Sequence, residues 1–228
     1  MARPRSRRYL KAAEKVDSTK RYAVVEGLSL IKSLVGPKFD ETVDVVVRIG
    51  IDPKKTDQLV RGSVSLPKGT GKSIKIAVFA EGAKAQEALA AGADFVGSAD
   101  LAEKIEKGFT DFDMTIASPD MMKYVGKLGK VLGPQGKMPS PKAGTVTPNV
   151  AAAVKEFKAG KIEFRTDAGA NVHAALGKKS FGADDLASNL RAFLDHLRTL
   201  RPAQAKGEFI KKVVVSTSMG PGVALAVE

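Results

Sequence analysis

The sequence predicts a mixed α/β and α+β protein of two domains, one built from both ends of the chain and one inserted into it. From about residue 73 to residue 160, short apolar strands alternate with helices, as in a parallel sheet flanked by helices. Before this stretch the order is a helix and two strands; after it, strands surround one long helix. We therefore expect a discontinuous domain of residues 1–67 and 160–228 and an inserted domain of residues 68–159.

The N-terminal piece begins with a basic arm that leads into a helix. Its first 22 residues hold eight Lys and Arg against only Glu14 and Asp17. Two interpretations are open: a solvated tail, or an arm that becomes ordered on binding an anionic partner.

A helix and a strand follow the arm. In YAVVEGLSLIKSLV an apolar face recurs at helical spacing, and Gly36 and Pro37 are expected to end the helix. The face consists of Val24, Leu28, Ile31 and Val35. In ETVDVVVRIGI every second residue from Val43 to Ile49 is apolar and faces one side, which is typical of a half-buried strand. Its apolar side consists of Val43, Val45, Val47 and Ile49.

The inserted domain is predicted from short segments. SIKIAVFAE, DFVG and DMTIAS are expected to be strands, and AKAQEALAAG, ADLAEKIEKG, PDMMKYVGKLG and NVAAAVKEFKAG helices. Between the last two helices lies GKVLGPQGKMPSPKAGTVTPN, residues 129–149. Gly allows a wider range of backbone dihedral angles than other residues, and Pro allows a narrower one. We therefore expect neither helix nor central strand there. The spacing favours a loop of fixed shape over a linker; a surface facing RNA or tRNA and a hinge are both open interpretations.

The C-terminal piece returns to the first domain. KIEFRTD, NVHAALG, FIKKVVVSTS and GVALAV are predicted strands, and DDLASNLRAFLDHLRTLR is a long amphipathic helix. Asp184 or Asp185 is expected to cap the start of that helix.

The net charge of +12 indicates a polyanionic partner, because Lys and Arg that neutralise phosphates release condensed counterions. Residues 68–160 carry 13 Lys against 10 acidic residues, whereas the flanking pieces carry 24 Lys and Arg against 15. The terminal domain is therefore the expected binding domain. The sequence holds no Cys and no apolar stretch of membrane-spanning length, so we expect a cytoplasmic protein without membrane contact.

Catalytic motifs are not found. LPKGTGKS lacks the first Gly of a phosphate-binding loop, since that position is Leu66, and it leads into a strand. His173 and His196 have no second ligand one helical turn away. We therefore expect no enzyme, no metal site and no nucleotide cofactor.

Two stretches carry residues suited to RNA. In PKFDETV, an aromatic beside a lysine suits a base and a phosphate, although Phe39 could instead fill the core. In STSMGPG, Thr217 and Ser218 offer hydroxyls and Gly220 allows close approach, although the stretch could also be an ordinary hairpin turn.

Taken together, KFDETVDVVVRIGIDPKKTDQLVRG, VLGPQGKMPSPKAGTVTPNV, GKIEFRTD and STSMGPG resemble the large ribosomal subunit protein one family, bacterial type. The likeness runs from about Arg8 to Val223. It implies a discontinuous split βαβ (ferredoxin-like) domain and an inserted Rossmann-like three-layer domain. It also implies a ribosomal protein of the cytoplasm that binds the stalk region of large-subunit ribosomal RNA, assists release of deacylated tRNA from the exit site, and represses translation of its own mRNA.

By position, the resemblance implies a set of RNA contacts. They are Lys38, Phe39, Thr42, Lys178, Ser218, Met219 and Gly220. With Thr217 they form the predicted site. Four departures stand out. Ser218 replaces the family's common Thr, Ser140 replaces a usual Asn, and Leu59 stands where Asn is usual in DQLVRG. DAGANVH lacks its usual Gly, which puts that hairpin's geometry in question.

Overall fold

The computed structural model describes residues 5–205 and 207–227. It divides the chain into two compact units, Met1–Lys72 with Ile162–Glu228, and Ser73–Lys161. The sequence-based boundaries lie a few residues away, at 67/68 and 159/160. No helix in the described part of the chain is both long and apolar enough to cross a bilayer.

The helices and strands are numbered in chain order. The helices are α1 (Arg7–Ala13), α2 (Val24–Ser33), α3 (Ala83–Ala90), α4 (Ala99–Glu106), α5 (Met122–Val125), α6 (Gly129–Leu132), α7 (Val150–Lys158) and α8 (Ala183–Thr199). The strands are β1 (Thr42–Ile49), β2 (Arg61–Ser65), β3 (Ile76–Phe79), β4 (Phe95–Gly97), β5 (Met114–Ala117), β6 (Lys161–Arg165), β7 (Asn171–Lys178), β8 (Ile210–Thr217) and β9 (Val223–Leu225). Short 3-10 turns lie at Thr56–Gln58, Pro119–Met121, Gly126–Leu128 and Pro141–Ala143.

The first unit is organised around a four-stranded antiparallel sheet in the order β7-β1-β8-β9. The alternation predicted for β1 is confirmed, because Val43, Val45 and Val47 are fully buried. Their side chains share a core with α2 and α8. The opposite face of the sheet is not part of that core.

Both helices of this core differ from prediction at one end. Helix α2 ends at Ser33, before Gly36, and Val35 is 63% exposed because it lies beyond the last helical turn. At the start of α8, Gly182 occupies the cap position, and neither aspartate caps the helix. Asp185 instead lies 3.2 Å from the ammonium of Lys68.

The long helix α8 follows the amphipathic prediction. Leu186, Leu190 and Leu197 are fully buried. Phe193 packs edge-on against Phe164 with ring centroids 5.4 Å apart, an arrangement that aromatic pairs favour. Because Phe164 belongs to β6, this pair joins the two-stranded β2–β6 sheet to the main core.

The hairpin before β7 forms without the expected glycine. Ala170 adopts the left-handed conformation with φ of 60°. The carboxylate of Asp167 accepts hydrogen bonds from the backbone amides of Gly169 at 2.8 Å and Asn171 at 2.7 Å. These bonds hold the turn in a conformation that alanine adopts only at a cost.

The second unit contains a parallel three-stranded sheet, β4-β3-β5, as predicted. Successive residues of β3 face opposite sides of it: Ile76 and Val78 pack with α3 and α7, whereas Ala77 and Phe79 pack with α4, α5 and α6. Helices therefore cover both faces, and each face has its own core.

The Gly/Pro-rich segment contains one helical turn, so the prediction of no helix was wrong at Gly129–Leu132. Buried Leu128 and Leu132 hold this turn on the core despite its glycines. Beyond it the chain has a fixed shape: Ser140 and Thr145 exchange hydrogen bonds, and Val146 bridges Ala117 of β5.

Candidate nucleic-acid interface

The predicted contact residues meet at one end of the four-stranded sheet. Thr42 opens β1, Lys178 closes β7 and Thr217 closes β8. The antiparallel register places Thr42 opposite Lys178, and Val43 opposite Thr217. Residues far apart in sequence therefore meet at one end of the sheet, because neighbouring strands run in opposite directions.

Three predicted residues are joined by hydrogen bonds. The Lys178 ammonium donates to the Thr42 hydroxyl at 3.1 Å. The Thr42 amide donates to the Ser218 hydroxyl oxygen at 3.2 Å, and the Ser218 amide donates to the Thr42 carbonyl at 3.1 Å. The β1 start and the turn between β8 and β9 are thus fixed to each other, and Lys178 is held beside them.

Phe39 and Met219 are exposed at this end of the sheet. Each side chain is 54% accessible, and Lys38 is exposed next to Phe39. The alternative interpretation, in which Phe39 fills the core, is therefore wrong. Both side chains offer apolar area that a nucleobase or a ribose can cover.

Thr217 lies beneath the surface and is 4% exposed. It shares the buried face of the sheet with Val43, its register partner. The expectation that its hydroxyl donates to RNA is corrected by this position. Its contribution is to the packing under the turn.

Gly220 is required by the turn itself. Its amide donates to the Thr217 carbonyl at 3.1 Å, and a β-carbon at Gly220 would collide with the Thr217 hydroxyl. Its φ is not among the positive values of the chain. Close packing within the protein, rather than a special backbone angle, explains the glycine.

The sequence does not identify Glu41 as part of the site, although its side chain joins several segments at this end of the sheet. Its side chain is 2% exposed, and one carboxylate oxygen accepts a hydrogen bond from the Met219 amide at 3.0 Å. The other oxygen lies 3.6 Å from the Lys179 ammonium, which also donates to the Leu34 carbonyl at 2.6 Å. A buried carboxylate needs such partners, so Glu41 holds these segments in one arrangement.

A second acidic residue fixes the same loop from its outer side. The Asp40 carboxylate accepts from the Ser180 hydroxyl at 2.8 Å and from the Ser180 amide at 3.2 Å. The loop that carries Lys38 and Phe39 is consequently bonded to the segment after β7 through both of its acidic residues.

Asp44 lies one pleat further along β1, on the face opposite the core. Burial raises the pKa of its carboxyl above the ordinary value, and the charges of Lys178 and His173 offset part of that rise. Lys178 therefore interacts with both Thr42 and Asp44, and its ammonium is positioned by the sheet rather than free in solvent.

This end of the sheet therefore combines two exposed apolar side chains, Phe39 and Met219, with the positioned cation of Lys178. In the described residues, no group of three His, Asp or Glu side chains is arranged to hold a metal ion. The chain belongs to the Ribosomal protein L1p/L10e family, which matches residues 30–221. The predicted family and its bacterial type are confirmed by this match and by the relatives, and the family is one of structural proteins and not of enzymes.

Curated relatives match over nearly their whole length, and each is called large ribosomal subunit protein uL1. The Kosmotoga olearia protein is 54% identical over 97% of this chain and 96% of its own. The Bordetella pertussis protein is 56% identical over the same shares. The Corynebacterium glutamicum protein is 53% identical over 96% of this chain and 92% of its own.

Proposed function

We propose that this protein is a structural component of the large ribosomal subunit that binds the stalk region of ribosomal RNA through the end of the β7-β1-β8-β9 sheet. The single observation that carries the proposal is the pair of half-exposed apolar side chains, Phe39 and Met219, fixed beside Lys178 by buried Glu41 and by the Thr42–Ser218 hydrogen bonds. The protein acts in the cytoplasm, in the ribosome.

Each exposed group has a role that suits RNA. Phe39 stacks on an unpaired base, and Met219 packs against a base or a ribose. Lys38 and Lys178 neutralise phosphates, and the Ser218 hydroxyl donates to a phosphate or ribose oxygen. Because Glu41 and Asp40 fix the surface before RNA arrives, little ordering cost opposes binding.

The discontinuous unit carries this role. We propose that residues 1–67 and 160–228 together form a split βαβ (ferredoxin-like) domain. Residues 68–159 form a Rossmann-like domain. The four-stranded antiparallel sheet with α2 and α8 supports the first assignment, and the parallel sheet covered by helices on both faces supports the second. The larger excess of cations outside residues 68–160 agrees with it.

We propose two further roles, which family membership supports. The protein assists release of deacylated tRNA from the exit site, and the fixed loop of residues 129–149 is a surface available for tRNA or ribosomal RNA. It also represses translation of its own mRNA, where a segment that imitates the ribosomal RNA site occupies the same sheet end. Ribosomal RNA and mRNA would then compete for one surface.

The test is a titration of the full chain in a salt series. The ligands are a transcribed fragment of the large-subunit stalk RNA and an unrelated RNA of equal length. We expect the stalk fragment to bind more tightly at every salt concentration. Phe39→Ala should lose one stacking interaction of about 1–3 kcal/mol, or roughly 5- to 150-fold in affinity for the stalk fragment.

The matched control is Leu89→Ala, which removes a comparably exposed apolar side chain from the second unit. Equal affinity of the parent for the two RNAs would reduce the protein to a general polyanion binder. Equal losses from Phe39→Ala and Leu89→Ala would remove the sheet end as the site.

A further inference from the structure

Asp44 is a carboxylate beside the proposed site to which that site gives no role. It lies on the face of the β7-β1-β8-β9 sheet opposite the core, as Thr42 does, because Val43 between them is buried. The antiparallel register places Ala175 of β7 and Ser216 of β8 on either side of it. Both of these side chains are short, so neither closes over the half-buried carboxylate.

The basic neighbours of Asp44 bond other groups. The Lys178 ammonium donates to the Thr42 hydroxyl at 3.1 Å, and Nε2 of His173 lies 3.2 Å from a carboxylate oxygen of Asp167. Both neighbours act on Asp44 only through their charge. Within residues 5–205 and 207–227, no group donates a hydrogen bond to the Asp44 carboxylate or forms an ion pair with it. Its oxygens therefore keep their capacity to accept hydrogen bonds from a ligand.

The stability of the fold does not account for this aspartate. Burial raises the pKa of its carboxyl, and the nearby charges of Lys178 and then His173 offset only part of the rise. A carboxyl whose pKa is higher in the folded chain than in the unfolded chain costs stability when it is ionised at neutral pH. A neutral side chain of the same shape would remove that cost.

We propose that Asp44 determines the specificity of the sheet end, where its carboxylate accepts a hydrogen bond from a base N–H or a ribose 2′-hydroxyl of the bound RNA. The inference rests on the proposed function and adds to it a contact that distinguishes one RNA from another. An ionised carboxylate offers only acceptors, so it repels phosphate oxygens and bonds the donors on bases and sugars. An RNA that places a donor there gains a charge-assisted hydrogen bond, whereas one that places a phosphate there loses affinity.

The spacing along β1 lets one RNA engage Asp44 together with the rest of the site. Thr42, to which Lys178 donates, lies two residues before Asp44 on the same face of the strand. Two residues of a strand span roughly 7 Å, which is within the reach of one nucleotide. A phosphate bound by Lys178 and a base or ribose on Asp44 can therefore belong to the same nucleotide or to adjacent ones.

The test is a titration of the full chain and its Asp44→Asn variant with the stalk fragment and the unrelated RNA. The ratio of the two affinities should fall by about five-fold or more, because asparagine keeps an acceptor but loses the charge that strengthens the bond. The affinity for the unrelated RNA should rise by roughly two-fold, because a negative charge is removed from a surface that meets phosphates.

A second arm identifies the donor. It uses a stalk fragment in which 2′-fluoro groups replace the ribose hydroxyls, so that the sugars no longer donate. If Asp44→Asn has no effect on binding of this fragment, the inference holds with ribose as the donor. If the effect persists, the inference holds with a base as the donor.

The matched control is Asp57→Asn, which removes the same charge from an exposed aspartate of the same unit. Asp57 lies in the segment that follows β1 at its Ile49 end, away from Thr42. It should leave the ratio of affinities as in the parent. Asp44→Asn should melt at the parent's temperature or above it, and any partial unfolding would lower both affinities by one factor and leave their ratio unchanged.

The outcomes separate the two proposals. A parent that prefers the stalk fragment, with the same ratio of affinities in Asp44→Asn as in Asp57→Asn, overturns this inference and leaves the proposed function intact. A parent that binds the two RNAs equally overturns both. A preference that falls in Asp44→Asn alone, while binding of the unrelated RNA is kept or strengthened, supports the inference.

Discussion

The Glu41 carboxylate accepts a hydrogen bond from the Met219 backbone amide at 3.0 Å, although 178 residues separate the two in the chain. Glu41 precedes β1, and Met219 lies in the turn between β8 and β9. The Glu41 carboxylate is buried, so water does not readily take the place of the amide when the bond is broken. It fixes the two segments that carry the exposed apolar side chains.

Substitution of Glu41 should lower stability more when more of its contacts with Met219 and Lys179 are removed. Glu41→Ala leaves the Met219 amide without its acceptor and the Lys179 ammonium without its ion-pair partner, and should lower the free energy of unfolding by about 3–5 kcal/mol. Glu41→Gln keeps an acceptor for the amide and should cost roughly 1–2 kcal/mol. Urea denaturation measures both. Amide hydrogen exchange at Met219 should accelerate more in the alanine variant.

Glu106→Ala is the control for this series, because Glu106 is an exposed glutamate of α4 in the second unit. It should change stability by less than about 0.5 kcal/mol. If Glu41→Ala changes the free energy of unfolding as little as Glu106→Ala does, the buried carboxylate does not hold the segments at this end of the sheet together.

The adjacent lysines at the end of β7 should respond in opposite ways. Lys178 is half-buried, bonds the Thr42 hydroxyl and faces the site, whereas Lys179 lies inward against Glu41 and the Leu34 carbonyl. Lys178→Ala should weaken binding to both RNAs and lower the salt dependence by about 0.7–0.9 units, with stability nearly unchanged. Lys179→Ala should lower the free energy of unfolding by roughly 2–4 kcal/mol.

Each variant serves as the control for the other, in salt-series titrations and urea denaturation of the same preparations. A selective loss on the stalk fragment alone would show that Lys178 recognises RNA shape in addition to supplying charge. Equal destabilisation by both substitutions would contradict the separation of roles.

Local patterns in the sequence predicted the strands, the long helix and the family motifs, because alternation and amphipathic spacing depend on near neighbours. The burial of Thr217 was also predictable: it continues the two-residue period of Val213 and Val215 onto the core face. The hydroxyls of the motif favour an RNA contact, whereas its place in the strand predicts that Thr217 is buried.

Other features depend on contacts that no local pattern reveals. An acidic residue such as Glu41 between polar neighbours reads as exposed, and its partners lie in distant segments. The helical turn at Gly129–Leu132 contradicts glycine's poor helix propensity, because burial of Leu128 and Leu132 outweighs it. Tertiary packing decided both cases.

The turn between β8 and β9 needs a substitution that leaves its packing intact. Gly220→Val would push a side chain against the Thr217 hydroxyl and should destabilise the protein by about 1–3 kcal/mol, so its effect on RNA binding is not diagnostic. Met219→Ala removes exposed apolar area only. It should cost roughly 1 kcal/mol of binding to the stalk fragment, about five-fold, with an unchanged melting temperature.

Ser218→Ala is the companion variant for Met219→Ala. It removes the hydroxyl that accepts from the Thr42 amide, so it should lower stability by about 1 kcal/mol in addition to a small loss of affinity. If Met219→Ala binds the stalk fragment as the parent does while melting normally, the turn makes no apolar contact with RNA.

The hairpin at Asp167 gives a prediction with a defined pH dependence. Hydrogen bonds to its carboxylate, first from the Asn171 amide and then from the Asn171 side chain, hold the pKa of Asp167 well below its usual range. A carboxylate whose pKa is lowered in the folded state stabilises the fold above its unfolded pKa of about 3.9. That stabilisation is lost as the pH falls further, toward the folded pKa.

Asp167→Ala should therefore melt at a lower temperature than the parent by a constant amount between about pH 5 and pH 8. Below about pH 4 the difference should shrink, because the Asp167 carboxyl of the unfolded chain binds a proton while that of the folded parent is still ionised, and this proton uptake favours unfolding of the parent. Asp195→Ala is the control, since Asp195 is largely exposed and pairs with Arg198 on the surface of α8. Its difference from the parent should stay small throughout. A difference for Asp167→Ala that persists unchanged to pH 2 would show that the turn depends on the shape of the side chain and not on its charge.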